Sequence, residues 1–343
     1  MWLKNCWYVA AWDHELLGDT LLPRTILEQS ILLYRKSDGI PIAIDNRCAH
    51  RGAPLSMGRR EGDAIRCMYH GLKFEANGRC SEIPGQPAIP AKMCVRTYPV
   101  IEQDRWIWIW MGDPALADSA LIPPTPTLKH PEWKYRPGYM HYQADYQLIC
   151  DNLLDFSHLS YVHEKTLGGS PNIAEVAPSI ERIPRGLQVS RDVRNTLPAP
   201  YHRRLGQFGG KVHRKFRYEF MLPAILLLHA QVKPVETAED DMTGALQFDS
   251  CQALTPETAS STHYFYMQAH KFRQDDATIT ESIYQSLCTA FEEDRRIIEA
   301  QQKMLNLSNQ APMQMILADK GLAIFRRMLN EMYEEEKAAA TVA

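Results

Sequence analysis

Cys48-Ala49-His50-Arg51-Gly52-Ala53-Pro54-Leu55, followed by Cys67-Met68-Tyr69-His70-Gly71, is the stretch on which the reading of this chain turns. Each half supplies one thiol and one imidazole from a short loop, and sixteen residues separate His50 from Cys67. Two soft sulfurs and two ring nitrogens suit either a tetrahedral zinc or a two-iron cluster, and the spacing alone leaves both open. Glycines at 52 and 71 let main-chain amides approach the sulfurs. The other six cysteines, Cys6, Cys80, Cys94, Cys150, Cys251 and Cys288, have no comparable spacing and read as structural thiols.

Around this pair of loops the first 110 residues or so are β-rich. Arg24 to Leu27, Ser30 to Tyr34, Ile40 to Asp45, Val95 to Val100 and Trp106 to Trp110 are short apolar or β-branched runs between turn signals, the pattern of a small sandwich or barrel. Gly112-Asp113-Pro114 and Pro123-Pro124-Thr125-Pro126 read as a linker, which divides the chain into residues 1–118 and 119–343. The second part mixes strands, at Leu187 to Val193, Phe216 to Met221 and Thr262 to Ala269, with helices at about Ile279 to Leu305 and Gly321 to Lys337. No βαβ rhythm joins them, so the class is α+β.

Asp151 to His163 lacks Gly and Pro and reads as helical, ending before Gly168-Gly169. Asp155 and His158, three apart, are neighbours on a helix face; His158 and His163, five apart, diverge by about 140° on a regular helix. Both reach one metal only where the helix ends or widens, as in a π-type turn. Two imidazoles and a carboxylate leave open positions on an iron. The third ligand is sought in Glu292-Glu293-Asp294, three acids that on their own describe a solvated helix face.

Composition narrows the function classes. With 343 residues, 45% hydrophobic and 23% charged, the chain is an ordinary globular one of about two domains. Thirty-eight basic against 41 acidic residues give no support for a nucleic-acid or membrane-surface protein. No apolar run approaches a membrane span, and the stretch from Met1 to His14 lacks the apolar core of a secretory signal, so the cytoplasm is expected. The basic run from Arg203 to Arg217 could guide an anionic small molecule or be a solvated loop, and charge runs favour the loop.

Mixed Cys-x-His and Cys-x-x-His halves, as opposed to Cys–Cys and His–His halves, resemble a Rieske [2Fe–2S] domain, where the cysteines hold one iron and the histidines the other. By that resemblance Cys48, His50, Cys67 and His70 are the cluster ligands. With the Asp155-x-x-His158-x-x-x-x-His163 segment, the chain resembles the oxygenase components of the Rieske non-haem iron oxygenases. Asn5 to Ala10, Pro84 to Gln86, Trp108 to Pro114 and Leu254 to Thr258 extend the likeness to the branch of vanillate and dicamba O-demethylases and toluenesulfonate methyl-monooxygenase.

The resemblance implies a helix-grip (START-like) catalytic domain with an antiparallel sheet and long C-terminal helices. It makes His158, His163 and Asp294 ligands of a mononuclear Fe(II) and puts Asn152 near that iron. Asp155 would link His158 by hydrogen bonds to a cluster histidine, His70, of a neighbouring subunit in a homotrimer. Electrons would arrive from a reductase carrying a flavin, a ferredoxin-type iron–sulfur centre or both. Dioxygen would then be used to hydroxylate a methyl group of an aromatic acid. The apolar region Leu187 to Met267 would line the pocket. His202, Arg203, Arg204, His213, Arg214 and His229 are the cations available for a substrate anion, and nothing in their spacing turns one of them inward. The alternatives are an N-demethylase or ring hydroxylase of the same family, a Rieske electron carrier, and a zinc-stabilised binding protein.

Overall fold

The structure, a computed structural model, describes residues 2–206, 208–238, 240–307 and 313–342. They form two compact units, Met1–Pro124 with Thr255–Ala259, and Thr125–Leu254 with Ser260–Ala343. The first boundary thus lies six residues beyond the 118/119 division, and the tip of one long hairpin belongs to the first unit.

The first unit is built of β1 (Trp7–Trp12), β2 (Leu22–Ile26), β3 (Gln29–Arg35), β4 (Pro41–Asp45), β5 (Arg59–Glu61), β6 (Ala64–Arg66), β7 (Lys73–Phe74), β8 (Cys80–Glu82), β9 (Thr97–Tyr98), β10 (Val100–Gln103) and β11 (Trp106–Trp110). They make three small sheets ordered β1-β11-β10, β2-β3-β4-β9 and β5-β6-β7-β8. The continuous strand expected from Val95 to Val100 is two strands parted at Pro99, which has no N–H to offer a ladder. Glu102 and Gln103 end β10, and the hairpin turns at Asp104 and Arg105, at φ 53° and 67°, as a two-residue loop requires. Trp106, Trp108 and Trp110 are all buried, because β11 is the middle strand of its sheet.

The second unit contains β12 (Gly138–Tyr142), α1 (Tyr146–Leu154), α2 (Asn172–Glu175), β13 (Ser179–Ile183), β14 (Gly186–Thr196), α3 (Pro200–Leu205), β15 (Val212–Met221), β16 (Ile225–Pro234), β17 (Leu246–Thr258), β18 (Ser261–His270), α4 (Ala277–Leu307) and α5 (Lys320–Val342). One seven-stranded sheet, ordered β12-β18-β17-β16-β15-β14-β13, carries the helices: α4 lies against β12 and β18, and α5 against β14. This is the helix-grip arrangement expected. Its helices α4 and α5 are where periodicity placed them, a few residues longer. No helix among the described residues is long and apolar enough to cross a membrane.

Two expectations fail here. The run from Asp151 to His163 is not one helix: α1 stops at Leu154, Asp155 is extended at φ −123° and ψ 101°, and a 3-10 turn follows at Phe156–Ser160. The reason is local. The Asp155 carboxylate accepts the Ser157 N–H at 2.9 Å and caps the new turn, a side-chain bond that competes with helix continuation. No π-type turn is present among the described residues of this segment. The basic run is not a loop either, since Arg203 and Arg204 lie in α3 and Arg214, Lys215 and Arg217 in β15. Along β15, Val212, Arg214, Phe216, Tyr218 and Phe220 alternate inward, so Arg214 is carried into the interior by the pleat.

Candidate metal centres and active site

The two cysteine–histidine loops have the same main-chain shape. Cys48 N–H donates to Ala53 O and Gly52 N–H to Cys48 O, both at 2.9 Å; Cys67 N–H donates to Leu72 O at 2.8 Å and Gly71 N–H to Cys67 O at 2.9 Å. Each loop turns at its glycine, with φ of 72° at Gly52 and 76° at Gly71. A Cβ on Gly71 would also stand 2.7 Å from Pro84 Cγ. The sulfurs rest on a core of Leu32, Tyr34, Ile44, Leu55, Ile65 and Phe74, and both thiols are free. Burial pushes the Cys48 thiol up, while the main-chain amides of His50 and Arg51 pull it down.

His50 and His70, by contrast, are exposed, with ring centroids 4.7 Å apart. Buried sulfurs beneath paired surface imidazoles fit a two-iron cluster whose outer iron faces solvent better than one tetrahedral ion.

The second constellation is assembled from three elements. His158 comes from the 3-10 turn after α1, His163 from the irregular turn beyond it, and Asp294 from the buried face of α4. Asp294 is only 4% exposed because it falls in the apolar series Ile283, Leu287, Phe291, Ile298, three residues after Phe291 and four before Ile298. That periodicity separates it from Glu292, which pairs with Arg295 and Arg296.

Both histidines turn Nε2 toward Asp294. His158 Nε2 is 3.7 Å from one carboxylate oxygen and His163 Nε2 is 3.1 Å from the other. Two ligand atoms each about 2.1 Å from a metal and a right angle apart are about 3.0 Å from each other, so the set fits one face of an ion. All three ligand atoms lie within 4.8 Å of one another.

The far ring nitrogens are held too. His158 Nδ1 donates to the Asp155 carbonyl at 2.6 Å, and His163 Nδ1 meets Glu293 Oε2 at 2.8 Å. Such bonds fix ring orientation and leave Nε2 as the coordinating atom. Burial pulls His163 down, but Asp294 and Glu293 outweigh it and its ring is raised overall. Asn152 donates from Nδ2 to Asp294 Oδ1 at 3.1 Å and so orients the carboxylate.

Within the chain, Asp155 meets His158 through its main-chain carbonyl. The carboxylate holds the Ser157 amide and hydroxyl and lies 3.6 Å from Arg191.

Glu293 supports His163, and nothing in a run of three acids marks it; only the helix phase relative to Asp294 does. Gly168 was read merely as a helix stop. Its N–H closes on His163 O at 2.9 Å, and a Cβ there would sit 1.6 Å from Leu159 O.

The triad faces a narrow cavity of about 70 Å³ walled by Leu153, Phe156, Leu159, Phe216, Leu287 and Phe291. The wall therefore draws on α1 and α4 as well as on the Leu187–Met267 region. Arg214 is the one of the six candidate cations that lines this cavity; Arg203, Arg204 and His229 are exposed. A larger recess of about 750 Å³, near Leu205, Pro234 and Arg273, contains none of the triad.

Two metal-binding chemistries in one chain, one suited to passing single electrons and one with open positions beside an apolar chamber, define an iron-dependent oxidoreductase. The Rieske [2Fe–2S] domain matches residues 6–99, and the vanillate O-demethylase oxygenase C-terminal domain matches residues 142–335. The toluene-4-sulfonate monooxygenase system iron-sulfur subunit of Comamonas testosteroni is 45% identical over 98% of both chains. A vanillate O-demethylase oxygenase subunit of a Pseudomonas species is 32% identical over 100% of this chain and 98% of its own. Dicamba monooxygenase bound to 3,6-dichlorosalicylic acid superposes with a TM-score of 0.90, at 30% identity over 98% of each chain.

The chain belongs to the Rieske non-haem iron oxygenases, in the vanillate O-demethylase branch. It is an oxidoreductase, the oxygenase component of a Rieske-type monooxygenase system, with a [2Fe–2S] cluster and a mononuclear iron as its cofactors. As one component of such a system, it takes electrons from a separate protein.

Proposed function

We propose that the protein hydroxylates a methyl group of an aromatic acid, with Cys48, His50, Cys67 and His70 holding the cluster and His158, His163 and Asp294 the mononuclear iron. The observation that carries this is the convergence of His158, His163 and Asp294 in the lining of an aromatic-walled cavity that is also lined by a cation, Arg214. Bound there, the cluster supplies electrons one at a time and the iron supplies activation of dioxygen.

The chain's own part is placement. Phe156, Phe216 and Phe291 line the chamber and exclude water from a ring placed with its methyl toward the triad. Asn152 and Glu293 keep Asp294 and His163 in position. One oxygen atom enters the methyl C–H bond and the other leaves as water, consuming two electrons and two protons. A methyl on oxygen or nitrogen is then lost as formaldehyde; one on the ring remains as a benzylic alcohol.

The electrons come through a reductase that carries a flavin, a ferredoxin-type centre or both. The assembly is a head-to-tail homotrimer in the cytoplasm, in which Asp155 joins the His158 centre to His70 of a neighbouring subunit. The likeness to toluene-4-sulfonate monooxygenase and vanillate O-demethylase supports an aromatic acid as substrate.

The test begins with iron and acid-labile sulfide per chain after anaerobic purification, in the wild type and in His163→Ala. About three irons and two sulfides are expected in the wild type, falling to two and two in the variant with its red-brown colour intact. Aromatic acids bearing methyl, methoxy and N-methyl groups are then screened with a reductase. Loss of colour in His163→Ala, or zinc without sulfide in the wild type, would overturn the ligand assignment.

A further inference from the structure

Arg214 is an anomaly of the catalytic unit. It is 1% exposed, yet no carboxylate is among the groups that bear on its charge. Its Nη1 donates to Gly168 O at 2.6 Å and its Nη2 to Leu167 O at 2.9 Å, which uses two of the five N–H donors a guanidinium carries. Nε is buried without a partner.

The groups packed round it do not neutralise it. Phe216 presents its ring 5.2 Å from the guanidinium carbon, and Tyr201 lines the same cavity. His202 is buried beside them, pushed far below its usual range by burial and then by Arg214 itself. Burial pulls Arg214 down to about 10, so it is cationic at neutral pH.

An isolated charge held in an apolar interior is costly unless something of opposite sign completes it. The cavity that Arg214 lines is also lined by His158, His163 and Asp294. From this we infer that Arg214 is the substrate-anion anchor: its free N–H donors bind the sulfonate or carboxylate of an aromatic acid whose methyl is thereby directed at the metal triad. The inference rests on the reading of this cavity as the substrate chamber, and it makes Arg214 a specificity-determining residue.

The two carbonyls it holds follow His163 in the chain, so a rival account makes Arg214 only a brace for the ligand turn. The rival predicts loss without regard to ligand charge; the anchor predicts loss confined to anions.

The holoenzyme, with both centres loaded, is titrated calorimetrically with 4-methylbenzenesulfonate, 4-methylbenzoate and the uncharged methyl 4-methylphenyl sulfone. Wild type, Arg214→Met and Arg214→Lys are compared, and oxidised products are measured in parallel with a reductase. In wild type, one or both anions should bind far more tightly than the sulfone, and the better anion identifies the acid group. Arg214→Met should weaken the anions by on the order of 100-fold while changing the sulfone by less than about threefold. Arg214→Lys, which keeps charge but not the fork, should fall between.

Equal loss for all three ligands, or loss of mononuclear iron in both variants, would leave only the brace and overturn the inference. Anions and sulfone binding wild type alike would overturn it even if neither variant folded. Charge-selective binding without any oxidised product would spare the anchor and sink the methyl-hydroxylation reading. Oxidation of anions undiminished in Arg214→Met would do the reverse.

Discussion

Glu293→Ala isolates the support behind one imidazole of the proposed iron site. Glu293 Oε2 receives His163 Nδ1 at 2.8 Å and the Thr166 hydroxyl at 2.7 Å, so the substitution removes the acceptor that fixes the His163 ring while leaving Nε2 and Asp294 untouched. A hydrogen bond to a charged group contributes about 1.5–3 kcal/mol, and loss of such a partner lowers metal affinity by about 10- to 100-fold. Here the Glu293 side chain is 29% exposed, though His163 is 1% exposed, so water replaces part of the interaction.

The low end of that range applies, about tenfold or about 1.4 kcal/mol. Glu293→Gln keeps an acceptor for Nδ1–H and gives up only the charge, so about threefold is expected from it.

The assay is Fe(II) affinity by competition with a chelator on protein stripped of its mononuclear iron under anaerobic conditions. Circular dichroism of the helices reports that the variant is folded, because the cluster's visible absorbance arises in the other compact unit. An Fe(II) affinity within twofold of wild type would refute the orienting role. A loss as complete as that of Asp294→Ala would show that Glu293 does more than orient His163 and would refute the modest supporting role.

Gly168→Ala forces a methyl carbon to within 1.6 Å of Leu159 O, and main chain on both sides cannot yield without moving the His163 turn. Metal analysis should find the mononuclear iron lost and the cluster sulfide retained; full iron content would contradict the packing. Tyr218→Phe removes the hydroxyl that donates to Leu154 O at 2.9 Å, at the end of α1 where the chain must leave the helix. It should cost about 1–3 kcal/mol in chemical denaturation, and a neutral result would mean that the carbonyl finds another donor.

Asp151, paired with Arg326, is pushed up from 3.8 to about 6 by burial, with Arg326 opposing. Its folded form therefore holds a proton more tightly than the unfolded chain. That contribution is full below pH 3.8 and lost as pH rises through 6. From pH 4.5 to 7, wild type should lose about 2 kcal/mol relative to Asp151→Asn, measured as the difference of their stability profiles, and parallel profiles would refute the shift.

Much of this was readable in the residues. Trp106 to Trp110, Ser30 to Tyr34 and the helical spacing in α4 gave their elements directly, since a period of two or of 3.6 is a property of the local chain. The cluster loops were readable for a similar reason: ligands that share a short loop keep their spacing in the sequence. His158 and His163, the two histidines of the proposed iron site, likewise sit five residues apart in the sequence. Local reading fails for α1, because one side-chain bond from Asp155 to Ser157 outcompetes a helical propensity spread over many residues.

What the residue order determined by itself, then, was the class: paired Cys–His loops and a two-histidine segment are chemistry within a few residues of chain. What only the tertiary structure decided was which distant groups complete that chemistry. Asp294 was separated from Glu292 and Glu293 by the face α4 turns to the sheet, and Glu293 proved to stand behind His163. Arg214 passed from solvated loop to buried cation because β15 pleats it inward with Phe216 and Tyr218, and burial, not charge, is what distinguishes an anchor from an ordinary surface arginine.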